Sequence, residues 1–151
     1  MDIYLARHGE AAANSIDRSR PLTRAGRESV ERVARMAAEK AVQVAAIYHS
    51  GILRAAQTAE IFAARLAPGA GVLIMAGLRP DDDPAIAAAE LAAAESPVML
   101  VGHLPHMNRL ASLLIRGSAE CDVINFRPAM MARFDREGSL WKLGWALAPP
   151  L

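Results

Sequence analysis

Cysteine, lysine and long apolar segments are all scarce in this chain. Its 151 residues include one cysteine, Cys121, which excludes an intramolecular disulfide and any metal site built from cysteines alone. This is compatible with a reducing compartment, and we expect Cys121 to have no functional role. No apolar run approaches the ~20 residues that a membrane-spanning helix needs. We therefore expect a cytoplasmic protein that does not enter a membrane.

Aromatic residues make up only 5% of the chain, whereas alanine occurs 32 times, so we expect a core of closely packed helices. Seventeen basic and sixteen acidic residues give a net charge of +1, which lacks the excess of cations typical of nucleic-acid-binding proteins. The cations are 15 arginines and only 2 lysines. Arginine presents a planar fork that matches phosphate or carboxylate oxygens, although biased codon usage explains most of those on the surface.

Short apolar runs alternate with segments of helical periodicity. Strands are predicted at residues 3–6, 44–48, 72–75 and 98–101, followed by a hairpin with strands at 129–134 and 140–147 around a turn at 135–138. Helices are predicted to begin after the N-caps Thr23, Ser50 and Asp83 and at Pro105. The third helix is expected to extend to Glu95 and the fourth to end before Gly117. The element order is therefore β-α-β-α-β-α-β-α-β-β.

This order predicts one domain over residues 1–151 with an α/β fold. We expect a three-layer sandwich, in which a mainly parallel sheet of about six strands carries helices on both faces and ends in a C-terminal β-hairpin. The fully apolar segment 98–101 is typical of a strand covered on both faces. Because ligands of such sheets bind beyond the carboxyl ends of the strands, these ends locate the expected site.

Chemically active residues follow several of these strands. Arg7, His8 and Gly9 supply a permanent cation, a titratable nucleophile and a residue that lets backbone approach a ligand. Arg54 lies in the first turn of the second helix, where free backbone N–H groups favour an anion, and His103 ends the fourth strand. In an isolated Arg-His pair, the arginine would more often form a salt bridge and the histidine a hydrogen bond to a neighbouring loop, without a functional role. Several such residues on one edge favour a phosphoryl-binding site.

Zinc binding is the rival use of the histidines. His103 and His106 are three residues apart and lack the glutamate and the i, i+4 spacing of the helical metalloprotease pair. Arginines crowded at the same edge would also repel a dication. We therefore expect no metal and no cofactor, and we interpret His106 as a polar residue at a helix start.

Four segments carry a resemblance to a known family. They are Leu-Ala-Arg-His-Gly-Glu-Ala at 5–11, Arg-Pro-Leu-Thr-Arg-Ala-Gly at 20–26, Ser-Gly-Ile-Leu-Arg-Ala-Ala-Gln-Thr-Ala at 50–59 and Leu-Val-Gly-His-Leu-Pro at 100–105. Each is short, but all four occur in the right order at predicted strand-to-helix junctions. In these segments the chain resembles the histidine phosphatase superfamily and, within it, the SixA-like phosphohistidine phosphatases.

The resemblance implies a metal-independent, two-step phosphatase. His8 would take the phosphoryl group as a phosphohistidine, and water would then release phosphate. The groups that would hold the phosphoryl oxygens are Arg7, Arg20, Arg54 and His103. Arg20 lies in a loop, and its alternative interpretation is a plain surface arginine. Cationic neighbours should keep the pKa of His8 below the usual value of ~6.5.

The general acid is less well defined by the sequence. Larger members of the superfamily protonate an alkoxide leaving group with a carboxylate after the third strand, and here Gly77 stands where we expect that residue. Asp83 is the candidate general acid, since it completes a Leu-x-Pro-x-x-Asp pattern, but the N-cap role explains it equally well. A phosphorylated imidazole needs an acid less than an alkyl phosphate does, because its leaving group is protonated near neutral pH.

These residues favour a phosphatase of phosphohistidine on a protein partner, such as a phosphotransfer domain or a phosphocarrier. Asn14 keeps a small-molecule phosphomonoesterase of the same superfamily open, because Arg-His-Gly-x-x-x-x-Asn is more typical of that branch; it also suits a plain turn residue. A non-catalytic phosphate-binding module is the third alternative. Such a module would need the arginines but not the nucleophile.

Overall fold

A computed structural model describes residues 1–150 of the chain. Strands and helices alternate along it as predicted. The elements are β1 Asp2–Arg7, α1 Arg24–Glu39, β2 Ala46–His49, α2 Leu53–Leu66, β3 Val72–Ile74, α3 Pro84–Ala93, β4 Val98–Gly102, α4 His106–Arg116, β5 Met131–Glu137 and β6 Leu140–Leu147. Within this described part, no helix has the length and apolar character required to cross a membrane.

The strands form one six-stranded sheet with the order β3-β2-β4-β1-β5-β6. Strands β1 to β4 are parallel, whereas β5 pairs antiparallel with β1 and β6 antiparallel with β5. All five residues of β4 are buried, as expected for a central strand covered on both faces. The predicted α/β fold, with a mainly parallel sheet and a C-terminal hairpin, is confirmed.

Helices cover both faces of the sheet and create two hydrophobic cores. Alternate side chains of β1 enter different cores: Tyr4 and Ala6 pack with α1 and α2, whereas Ile3 and Leu5 pack with α3 and α4. Since β1 has strands on both sides and helices on both faces, the residue that follows it is held from several directions.

Two of the three predicted N-caps are confirmed. The Thr23 side chain accepts a hydrogen bond from the Gly26 N–H at 2.9 Å, and that of Asp83 accepts one from the Ala85 N–H at 3.0 Å. The prediction for Ser50 is wrong, because α2 begins later and its N-cap is Ile52. Instead, the Ser50 hydroxyl forms a hydrogen bond with the side chain of His103, which follows β4.

The predicted hairpin is present, but its turn lies nearer the C-terminus than expected. Residues 135–137 belong to β5, and the turn consists of Gly138 and Ser139, with a φ of +64° at Gly138. The Arg136 guanidinium lies 4.7 Å from the centre of the Trp141 ring and donates a hydrogen bond to the Leu91 carbonyl. These contacts with β6 and α3 favour a longer β5, which includes residues 135–137 although their sequence is typical of a turn.

Candidate active site

His8 lies directly beyond the end of β1 and is fixed by backbone hydrogen bonds on both sides. Its N–H donates to the Gly102 carbonyl at 3.0 Å, and its own carbonyl accepts from the Ala129 N–H at 3.1 Å. The side chain is only 7% exposed, and Nδ1 lies 2.7 Å from the Gly9 carbonyl oxygen. Because a carbonyl can only accept, Nδ1 carries the ring proton. Nε2 therefore keeps its lone pair.

Gly9 is required by helix packing. We expected a glycine here to let backbone approach a ligand, but a Cβ at Gly9 would lie 2.7 Å from Cγ2 of Val30 in α1. A Cβ at Gly26, also in α1, would fall on the Glu10 carbonyl oxygen. The two glycines therefore allow the His8 loop and α1 to approach each other closely.

Thr58 of α2 connects the His8 loop to the turn that carries Arg54. This fully buried threonine accepts a hydrogen bond from the Gly9 N–H at 3.1 Å and donates one to the Arg54 carbonyl at 2.8 Å. The sequence motif contained Thr58 but gave it no role. Such a role could have been suspected, because a threonine within an otherwise apolar helix face needs a polar partner.

Gln57 has a similar part in fixing the loop that contains Arg20. Its Oε1 accepts a hydrogen bond from the Leu22 N–H at 2.8 Å. Within that loop, Nε of Arg20 donates to the Ala12 carbonyl at 2.9 Å, and Arg20 adopts a positive φ of +48°. The loop is thus held to α2, and the loop residue Arg20 is anchored by its own side chain.

Three arginines bring positive charge to this edge of the sheet. Arg7 donates from Nη1 to the Phe126 carbonyl at 3.0 Å, while Nε of Arg7 and Nε of Arg54 are buried without a hydrogen-bond partner. Burial lowers the pKa of both arginines, and the nearby charge of Arg20 lowers that of Arg54 further. Within residues 1–150, none of the three has a carboxylate within 4.0 Å. Their charges are therefore available to an anion.

His103 lies next to His8 at the end of β4. The two ring centres are 5.0 Å apart, and Nε2 of His103 lies 2.6 Å from the Ser50 hydroxyl. That hydroxyl accepts from the Ile52 N–H at 3.2 Å, so its own proton is available for His103. When Ser50 donates to Nε2, the ring proton of His103 resides on Nδ1, which is buried and has no other partner.

Both imidazoles are neutral at physiological pH. The pKa of His8 is lowered to about 4, chiefly by burial, with further lowering by Arg54, Arg7 and Arg20 and an opposing effect of the Gly9 carbonyl. The expected direction is confirmed, but burial contributes more than the arginines. Burial and neighbouring charges, first that of His8, lower the pKa of His103 to about 3. A neutral imidazole offers one lone pair and one N–H, which suits attack and hydrogen bonding respectively.

The segment after β3 contains Gly77 and Asp83, the two positions considered for a general acid. Gly77 has a φ of +89°, and a Cβ there would lie 2.5 Å from Cγ2 of Ile86. Asp83 uses Oδ1 to cap α3, and across residues 1–150 it has no hydrogen bond to His8 or His103. Asn14 is an exposed turn residue, as its simpler interpretation predicted.

His106 differs from expectation. We interpreted it as an ordinary polar residue at a helix start, but it is fully buried and neither ring nitrogen has a hydrogen-bond partner. Burial lowers its pKa, against opposing effects of the Asp82 charge and of the nearby Gly77 backbone, which lies outside normal hydrogen-bond geometry. The sequence gave no indication of this burial, which results from the packing of α4 against the loop before α3. In the part of the chain that is described, no three His, Cys, Asp or Glu residues form a potential metal site.

Known proteins resemble this chain in both sequence and structure. The profile of the histidine phosphatase superfamily (branch 1) matches residues 3–80. An uncharacterized protein from Picosynechococcus sp. is 35% identical over 125 residues, which cover 78% of this chain and 74% of the relative.

Among solved structures, the protein histidine phosphatase SixA in complex with tungstate superimposes with a TM-score of 0.87 and 27% identity, over 99% of this chain and 97% of the other. A SixA protein from Agrobacterium tumefaciens gives a TM-score of 0.81 and 27% identity, over 98% and 97% of the two chains. A mycobacterial glucosyl-3-phosphoglycerate phosphatase, at 18% identity and a TM-score of 0.73 over 95% and 98%, shares the fold.

Proposed function

The chain belongs to the histidine phosphatase superfamily, whose members are phosphatases, and we propose that it hydrolyses phosphohistidine on a protein through a covalent intermediate on His8. The observation that carries this proposal is the orientation of the His8 ring. The Gly9 carbonyl holds the proton on Nδ1, and the lowered pKa keeps Nε2 unprotonated. A neutral imidazole with a fixed lone pair is a nucleophile that needs no separate base.

In the first step, Nε2 of His8 attacks phosphorus. A bond forms between Nε2 and phosphorus, while the bond from phosphorus to the substrate imidazole breaks and its electron pair returns to that imidazole. The substrate ring carries a proton on its other nitrogen, so it leaves as neutral imidazole, and His8 becomes a phosphorylated imidazolium with its proton on Nδ1. Negative charge on the phosphoryl oxygens is balanced by Arg7, Arg20 and Arg54. The unpartnered, buried Nε atoms of Arg7 and Arg54 fit this task, because an oxygen ligand would supply their missing hydrogen bonds.

In the second step, water attacks the phosphorylated His8 and releases inorganic phosphate. A bond forms between the water oxygen and phosphorus while the bond between Nε2 and phosphorus breaks, and its electron pair returns to Nε2. One proton of the water passes to a phosphoryl oxygen, so His8 is regenerated as the neutral ring with its proton on Nδ1, and dihydrogen phosphate leaves. We propose that Nδ1–H of His103 donates to a phosphoryl oxygen in both steps. In support, its ring centre is 5.0 Å from that of His8, and its Nε2 is 2.6 Å from the Ser50 hydroxyl. Preorganised donors of this kind lower the barrier where charge is redistributed.

The leaving group favours phosphohistidine as the substrate. A departing imidazole accepts a proton near neutral pH, whereas an alkoxide needs a strong general acid. Asp83 is our candidate for that acid, and its Oδ1 already accepts a hydrogen bond from the Ala85 N–H. Gly77 offers no acidic group. We therefore propose that any acid catalysis by Asp83 contributes less to phosphohistidine than to an alkyl phosphate.

The test is phosphate release from a matched panel of substrates. Purified protein is incubated with phosphocarrier and phosphotransfer domains labelled on histidine, with free phosphohistidine and with sugar phosphates, in excess EDTA. We expect release from the phosphohistidine compounds, and rapid quenching should trap label on the enzyme. His8→Ala should lose at least about a thousandfold in rate, because no covalent route remains, while its circular dichroism stays unchanged.

Three outcomes would contradict the proposal. Release from sugar phosphates alone would make the protein a small-molecule phosphomonoesterase. Binding of phosphate without turnover of any substrate would indicate a non-catalytic module. Loss of activity in EDTA, restored by zinc, would assign His103 and His106 to a metal.

A further inference from the structure

Large apolar side chains lie exposed on one side of the candidate site. They are Leu53, Ile74 and Ile86, with 40%, 70% and 48% of their surface accessible, and we call them the apolar rim. Leu53 opens α2, Ile74 ends the edge strand β3, and Ile86 lies in the first turn of α3. Single exposed apolar residues are ordinary. Three of them, at the end of β3 and at the starts of α2 and α3, call for an explanation.

Each rim residue is connected to the site by a short path. Leu53 precedes Arg54 in the chain. Ile74 packs beside Gly51, where a Cβ would be 3.7 Å from Cγ2 of Ile74, and Gly51 follows Ser50, the partner of His103. Ile86 covers Gly77 on the loop between β3 and α3. The three rim residues therefore lie next to segments that carry Arg54, Ser50 and Gly77.

We infer that the apolar rim is the docking surface for the substrate protein, and that it contacts apolar side chains flanking the phosphorylated histidine. This inference rests on the proposed function. His8 is only 7% exposed, and a histidine side chain is short, so a phosphohistidine that reaches Nε2 brings its own backbone to the edge of the pocket. A small phosphate ester would contact only the arginines and histidines of the candidate active site and would not reach the apolar rim.

Charge around the rim is mixed. Asp81, Asp83 and Arg79 are exposed in the loop that leads to Ile86, and none of them forms an ion pair within residues 1–150. The rim therefore suits a surface with apolar residues next to the phosphohistidine and no strong charge of either sign, while the phosphoryl group itself meets the arginines.

The experiment compares two substrates that share the reacting bond. One is a phosphotransfer domain phosphorylated on its histidine, and the other is free phosphohistidine, which has no surface to dock. Ile74→Ser and Ile86→Ser should each lower kcat/KM for the domain about fivefold, the effect of about 1 kcal/mol of lost apolar burial per side chain. The change should lie in KM, and the rate on free phosphohistidine should be unchanged. Leu143→Ser, at 38% exposure on the opposite edge strand β6, is the matched control.

The outcomes separate this inference from the proposed function. If the unsubstituted enzyme hydrolyses free phosphohistidine but no phosphorylated protein, the proposed function fails. If it hydrolyses the domain and the rim variants do so equally well, or if both substrates are affected alike, the docking inference is overturned while the proposed function stands. Sedimentation provides a further check: a dimer that Ile74→Ser converts to a monomer would make the rim a contact between two copies of this chain.

Discussion

The Ser50 hydroxyl and Nε2 of His103 lie 2.6 Å apart, although 53 residues separate them in the chain. This bond joins the ends of β2 and β4, and when Ser50 donates it, the ring proton of His103 resides on Nδ1. We propose that Ser50 is a positioning residue that acts through His103.

Replacing Ser50 tests this role. We expect Ser50→Ala to lower kcat about tenfold, because a lost hydrogen bond of about 1.4 kcal/mol leaves the ring of His103 free to change tautomer. Ser50→Thr, which keeps the hydroxyl, should restore most of the activity. Steady-state kinetics and the Nε2 chemical shift of His103 measure the two effects. An unchanged shift together with reduced kcat would assign Ser50 a merely structural role.

Arg54 is expected to stabilise the phosphoryl group directly. Arg54→Ala should lower kcat/KM about a hundredfold and weaken inhibition by inorganic phosphate, since one preorganised cationic donor typically contributes that much. Arg54→Lys keeps the charge but loses the planar fork, so its kcat/KM should lie between those of the unsubstituted enzyme and of Arg54→Ala. Arg32→Ala removes an exposed arginine of α1 and serves as the control. A loss of similar size in Arg32→Ala would mean that only overall charge matters.

The acid dependence of activity follows from the lowered pKa of His8. An imidazole with a pKa of about 4 is still neutral at pH 5, whereas an ordinary histidine would be largely protonated there. We therefore expect kcat/KM to show no loss from His8 protonation until the pH approaches 4. NMR titration of the His8 ring measures the pKa in the free enzyme. A midpoint near 6.5 would contradict the orientation and burial on which the mechanism depends.

His106 should reduce the stability of the folded protein in acid. Its pKa is lowered by burial, so the unfolded chain binds a proton below about pH 6.5 that the folded chain does not. Stability falls with decreasing pH in this window, by up to about 1.4 kcal/mol per pH unit for one group. His106→Leu removes this loss and should raise the free energy of urea unfolding more at pH 5 than at pH 8. An equal change at both pH values would show that folding does not lower the pKa of His106.

Local signals in the sequence predicted the order of the elements and the proximity of His8 and His103. Alternation of strands and helices implies a parallel sheet, and the residues after β1 and β4 must then share one edge. Thr23 and Asp83 were identified as caps because a cap bonds to N–H groups two or three residues away. The direction of the His8 pKa shift was also predicted from the neighbouring arginines, although its main cause, burial, was not.

Long-range contacts account for what the sequence did not predict. Ser50 has the local pattern of a cap, and its partner His103 comes from a distant strand. His106 has the pattern of an exposed helix start, but the loop before α3 buries it. Gly9 was predicted to let backbone approach a ligand, and the sequence did not reveal that it also makes room for α1. In each case the deciding neighbour lies far along the chain, where neither periodicity nor spacing can reveal it.

Gly77 restricts how this chain could change its chemistry over evolutionary time. A carboxylate at this position would have to tolerate a φ of +89° and displace Ile86, whose Cγ2 would be 2.5 Å from the new Cβ. No single substitution at Gly77 therefore yields a well-placed acid. A lineage moving towards alcohol leaving groups would first need a smaller residue at Ile86, and it would give up part of the apolar rim in doing so.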